Sequence, residues 1–302
     1  MTRHRLPALR RIAAATALVI ALIGVSGASQ EAPEAQPPWV IYQEGLQQLR
    51  DQELGPALES FRRAIRERGG AFPEAEAGIG RVFAMEGQLD LATQQFRRAL
   101  DQEAFLYIPA QRYAIRYELA ELHDLSGAPR LYRETLEELV AENPSFSDPE
   151  NASLRASYLD TLRENGIDRL LVLYRLEENF ARQAHALLGY RYLDDQRYDA
   201  ALEHLTFASL MVFSTVIDEL RRFEPEYEFE TLSGLFARLE RRSRLREYLS
   251  GDAEAYRLLF RLADALAGAD PQPGTALEIY RFLAETPDAG QWSGAARRRL
   301  GG

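Results

Sequence analysis

Four positions near the N-terminus return after one fixed interval. Gly45 recurs as Gly80, Ala57 as Ala92, Phe61 as Phe96 and Ala64 as Ala99, and every offset is thirty-five residues. A period of this length is one supersecondary unit, too small to bury its own apolar face, so copies must stack on one another. Inside each copy the steps are helical: Ala57, Phe61 and Ala64 are four and three apart, which places them on one face. The Gly belongs to the amphipathic segment before that helix. A Gly and an Ala allow two backbones to approach closely, and the Phe fills the space beside the crossing. β-branched residues are sparse and strict alternation is rare, so the pattern predicts helices and no sheet.

The same arrangement stands most clearly in His185 to Ala208, HALLGYRYLDDQRYDAALEHLTFA. Leu188, Gly189 and Tyr192 form L-G-x-x-Y on a first helix. Asp194, Asp195 and Gln196 supply a polar turn, and Ala201, Leu205 and Ala208 lie on a second helix. Weaker copies follow Ala128, Tyr132 and Leu136, with Tyr113 to Asp124 as first helix, and Ala276, Tyr280 and Leu283 ahead of Pro287. Over about two-thirds of the chain this resembles the tetratricopeptide pattern. It departs at Glu44 and Gln48, where apolar residues are usual, and in its missing or displaced closing prolines. The resemblance implies an all-α fold of antiparallel helical hairpins, stacked as a tetratricopeptide-like solenoid in two sub-arrays. It also implies a concave face lined by first helices. Carried over through the Gly positions, that face would show Tyr42, Arg81, Tyr113, Tyr117 and Tyr190. Inter-repeat packing is the competing role for such tyrosines.

Along the chain, Arg3, Arg5, Arg10 and Arg11 precede a fourteen-residue apolar run, Ile12 to Val25, and then Ser26-Gly27-Ala28. Basic, apolar and small-residue regions in that order read as a secretory signal over 1–28, cleaved near Ala28. The run is short of the ~20 apolar residues that a membrane span needs. The expected product is periplasmic or secreted, with membrane contact only if the segment is retained. Residues 29–38, rich in Pro and Glu, read as a flexible leader. Residues 39–142 carry the N-terminal hairpins. Two prolines interrupt 143–152, read as a linker, and 153–302 holds the C-terminal and divergent hairpins. Within these, Leu154 to Asn179 reads as a hairpin turning at Asn165-Gly166, and Thr231 to Leu249 as one amphipathic helix. The latter carries five arginines from Arg238 to Arg246. They read as a solvated face paired with Glu240 and Glu247, or as an anion site.

The chemistry is sparse. There is no Cys, which excludes disulfides, thiol nucleophiles and thiolate metal sites. His185 and His204 lie on the two helices of one hairpin without carboxylates at ligand spacing, and read as structural. Gly78-Ile79-Gly80 lacks the third Gly and the preceding strand of a dinucleotide fingerprint. No nucleophile elbow or P-loop occurs. The reading is therefore a non-enzyme with no cofactor and no metal. A net charge of −10 opposes nucleic-acid binding, because the phosphate backbone has to be neutralised. A protein or peptide partner on the concave face is expected. The alternative is a small apolar or acidic ligand handed to a transporter.

Overall fold

The computed structural model describes residues 36–270 and 274–301. The expected signal and most of the leader lie outside the described residues. Within them the chain forms fifteen α-helices and no strand. Two compact units divide between Ile115 and Arg116.

The first unit holds α1 (Pro38–Arg50), α2 (Leu54–Arg68), α3 (Pro73–Met85) and α4 (Leu89–Asp101). They pack as two hairpins, α1 on α2 and α3 on α4, with α2 against α3. Prolines stand in the first turns of α1 and α3, where no intrahelical donor is lost. Phe61 is fully buried and clamped from two sides. A Cβ added at Gly45 on α1 or at Gly78 on α3 would come within 2.8 Å of its ring. Gly80 faces Phe96 in the next hairpin, where an added Cβ would lie 3.1 Å away. Gly45 and Gly80 therefore close hairpins, and Gly78 closes the joint between them. Ala57, Ala64, Ala92 and Ala99 have no exposed surface.

The helix α5 (Gln111–Leu125) carries the boundary between units. The second unit continues with α6 (Pro129–Ala141), α7 (Pro144–Ser147), α8 (Ala152–Leu173), α9 (Arg182–Asp194) and α10 (Tyr198–Phe223). It ends with α11 (Leu232–Leu239), α12 (Ser243–Ser250), α13 (Ala255–Ala269), α14 (Gly274–Glu285) and α15 (Gln291–Gly301). Its axis is α10, which packs on α9, α13 and α8. By length and composition α10 could cross a membrane, but its apolar stretch is mostly buried inside the unit. Leu188, Ala201, Leu205 and Ala208 are fully buried, and Tyr192 nearly so. A Cβ at Gly189 would sit 2.5 Å from Leu205 Cγ, so this pair too nests helix on helix.

One turn is repeated in four hairpins. The amide of Glu53 donates to Gln48 O, Gln88 to Phe83 O, Ala128 to His123 O and Arg197 to Tyr192 O, each at 2.8 Å. The residue before each donor is left-handed: Gln52, Gly87, Gly127 and Gln196, with φ between 58° and 75°. This is the six-to-one bond of a Schellman motif, which satisfies a carbonyl left open at the helix end.

One expected break is present, and two expectations are corrected. At Asn165-Gly166, read as a hairpin turn, two helical stretches counted together as α8 meet across a non-helical Gly166 (φ 83°, ψ 173°). Thr231 to Leu249 is not one helix but α11 and α12, broken at Glu240–Arg242. Residues 143–152, read as a linker, hold α7 and a 3-10 turn and pack within the second unit. Asn143 is wholly buried, and the Phe146 ring lies 5.0 Å from Phe207. The aromatic side chain between the two prolines outweighs their helix-breaking effect.

Candidate functional site

The second unit presents a strip of tyrosines and arginines along α9 and α13. Arg257, Arg261, Asp264 and Gly268 are four, three and four apart on α13 and share one helix face. The Arg257 guanidinium lies 4.3 Å from the centre of the Tyr190 ring, and its Nη1 is 3.2 Å from Glu254. Tyr190 is buried, and burial pushes its phenol above the usual range. Arg261 Nη1 reaches Asp194 at 3.5 Å. Asp264 accepts the Tyr280 hydroxyl at 2.6 Å and Arg299 Nε at 2.9 Å. The Tyr198 ring packs against Gly268, where an added Cβ would come within 2.2 Å of it. Leu193, Tyr198, Leu277 and Tyr280 wall a groove of about 450 Å³ here, with Arg261 and Arg299 at its edge.

Chemically, this is a packed aromatic floor with Arg257 standing over Tyr190 and the Arg261 and Arg299 guanidinium groups beside the groove. Each cation is held by a carboxylate but keeps N–H donors. Such a surface can hold a partner through stacking and charge-assisted hydrogen bonds.

The residues expected on one concave face divide between the two units. Tyr190 lies in the strip. Tyr117 packs nearby in the same unit: its hydroxyl donates to Phe180 O at 2.6 Å and accepts the Ala184 amide at 2.9 Å. That pins the start of α9 and leaves the oxygen little capacity for a ligand. Tyr42, Arg81 and Tyr113 belong to the first unit. Tyr42 packs 5.8 Å from Phe61 and 5.4 Å from Phe72. Arg81 is half-exposed on α3. Tyr113 lies under Arg112, which also donates to its hydroxyl at 2.6 Å. The sequence reading passed over Arg257, Arg261 and Arg299; the four-three-four spacing on α13 was the signal available for the first two. In the basic segment, Arg238 and Arg242 pair with Glu224, and Arg246 with Asp288, rather than with Glu240 and Glu247.

His185 and His204 meet at the centre of the second unit, Nδ1 to Nδ1, at 3.0 Å. Phe146 and Phe207 flank His185, with ring centres 4.8 and 5.2 Å away. His185 Nε2 is buried with no hydrogen-bond partner. The proton is cheapest on its Nδ1, donated to His204 Nδ1, since an orphaned donor would cost more. Burial depresses both imidazoles, His204 to about 4 with help from Arg197. The pair is neutral and structural. Among the described residues no three His, Asp or Glu side chains form a metal-holding group.

Paired helices, Gly against large apolar residue and one repeated turn are now established in both units. The fold is tetratricopeptide-like. No protein-family model matches the chain. An uncharacterised protein of Treponema pallidum (strain Nichols) is 27% identical over 234 residues, covering 76% of this chain. The chain spans 62% of that protein's length. A solved TPR repeats protein from Bacteroides fragilis NCTC 9343 is similar over 88% of this chain and 100% of that one, at 14% identity and a TM-score of 0.31.

Proposed function

We propose that this chain is a non-enzymatic interaction scaffold of the bacterial cell envelope, which holds a protein or peptide partner on the α9–α13 strip. The observation that carries the reading is the contrast in exposure within the strip. Arg257, Arg261 and Arg299 are 35%, 28% and 56% exposed, while Tyr190 beneath Arg257 is 6% exposed. Anchors of this type lose little entropy on binding, because packing already fixes them. Tyrosine and arginine are also the residues most often responsible for binding energy at protein interfaces. The envelope location rests on the three-part N-terminal segment.

The test is affinity capture from envelope extract with the wild-type chain and with Arg257→Ala/Arg261→Ala. A near-stoichiometric partner is expected whose binding the double variant weakens by about tenfold or more. Undiminished capture by the variant would remove the strip from the function. A small molecule carried in native mass spectra by the wild type and lost from the variant would replace the scaffold reading with a ligand-binding one.

A further inference from the structure

The connection between α4 and α5 in the first unit displays three large apolar side chains almost in a row. Phe105, Tyr107 and Ile108 are 59%, 64% and 53% exposed. They are not loosely held. Leu106 between them is buried, the Tyr107 amide donates to Glu74 Oε1 at 2.6 Å, and Arg68 Nη2 donates to Phe105 O at 3.4 Å. The Arg68 guanidinium also lies 4.6 Å from the Tyr107 ring centre. An apolar tip braced in this way costs hydration free energy in the isolated molecule and marks a surface that something covers.

The position of the tip indicates what covers it. Hairpins alternate direction, so the end of α4 and the start of α1 fall at one end of the unit. A row of rings bears this out: Tyr42 on α1 lies 5.4 Å from Phe72, and Phe72 lies 6.1 Å from Tyr107. Trp39, 53% exposed, is one turn before Tyr42 on the same helix face. This end is therefore where the preceding chain enters, and the apolar run Ile12 to Val25 stops thirteen residues before Pro38. Even fully extended, that tether spans at most about 45 Å.

We propose that this end of the first unit docks on a lipid bilayer, with Phe105, Tyr107 and Ile108 at the level of the headgroups. Trp and Tyr beside aliphatic side chains are the residues that partition to that layer. The charges that touch or flank the tip, Arg68 and Arg112 against Glu74, Asp101 and Glu103, nearly cancel. The attachment is therefore apolar and responds weakly to salt. The tether rests on the envelope reading in its uncleaved form, with Ile12 to Val25 retained, and falls away if the chain is cut near Ala28; the surface itself is independent of that segment and of the partner strip in the second unit.

The experiment uses the full chain in phosphatidylethanolamine–phosphatidylglycerol vesicles with brominated acyl chains. A reporter indole is placed by Tyr107→Trp in a Trp39→Phe/Trp292→Phe background, and circular dichroism verifies native helicity. Blue-shifted emission quenched by the brominated lipid is expected. Adding Phe105→Ser and Ile108→Ser should abolish both. A folded reporter that stays unquenched overturns the proposal, whether its emission is aqueous or blue-shifted. The blue-shifted case would mean that a second copy or another protein covers the tip. Neither result bears on partner capture by the α9–α13 strip, so failure of one reading is separable from failure of the other.

Discussion

Glycine and its large neighbour decide the packing of this protein one contact at a time. An added methyl group at Gly45 or Gly189 has no free space, since Phe61 and Leu205 already touch the helix backbone there. We expect Gly45→Ala and Gly189→Ala each to cost about 1–3 kcal/mol, read as a lower urea midpoint at unchanged slope. Gly55, on the first turn of α2 with nothing within 4 Å of an added Cβ, is the control. There Gly→Ala should be neutral or stabilising by up to about 1 kcal/mol, because helical Gly carries an entropy cost that Ala does not. If all three behave alike, close approach is not what these glycines provide. The role of Gly45, Gly80 and Gly189 was legible from spacing. That of Gly78 was not, because its partner Phe61 belongs to the previous hairpin and no local pattern ties them together.

Among elements, the turn is the most regular feature and the least readable. The left-handed residue is Gly in two of the four repeated turns but Gln in the others, Gln52 and Gln196. A glutamine there has a backbone conformation that costs an L-residue about 1–2 kcal/mol, offset by the Schellman hydrogen bond. Gln196→Gly should therefore stabilise the second unit by about 0.5–1 kcal/mol after the greater freedom of the unfolded chain is counted. A thermal midpoint that falls instead would show the Gln side chain to be making a contact that matters. At Gly166 the backbone leaves the helical region between two stretches of α8, and Leu162, Ile167, Leu170 and Leu171 on either side are buried in the same unit. Asn165-Gly166 reads as a turn by local chemistry, and the chain is non-helical there. The break between α11 and α12 is the reverse case, an amphipathic stretch divided where Arg242 and Arg238 turn to Glu224.

At the scale of the whole molecule, acid stability follows from the buried imidazole pair. Both histidines are held neutral by burial, and their folded pKa values lie below the ordinary 6.5. The unfolded chain binds their protons first as pH falls. Their contribution is present in full above pH 6.5 and is lost as pH drops from there towards about 4, the value for His204. For His204 alone the loss is roughly 3 kcal/mol. In melts between pH 7.5 and 4, His185→Leu/His204→Leu should show a shallower fall of the midpoint than the wild type; equal slopes would mean that other groups set the acid limit. The sequence could pair these residues on one hairpin but could not bring Phe146 over them, since that ring arrives from a segment whose prolines read as a linker. Tyr117 shows the same limit: helical period gives its face on the helix, whereas the Phe180 carbonyl and Ala184 amide that its hydroxyl meets lie far along the chain. By itself the sequence determined that this protein is helical and paired, because periodicity and small residues at crossings act within a few turns. Only the tertiary structure decided where the compact units divide, which arginines stand over which tyrosines, and which proline-bearing segment packs into the core, because those depend on apolar burial summed over segments far apart in the chain.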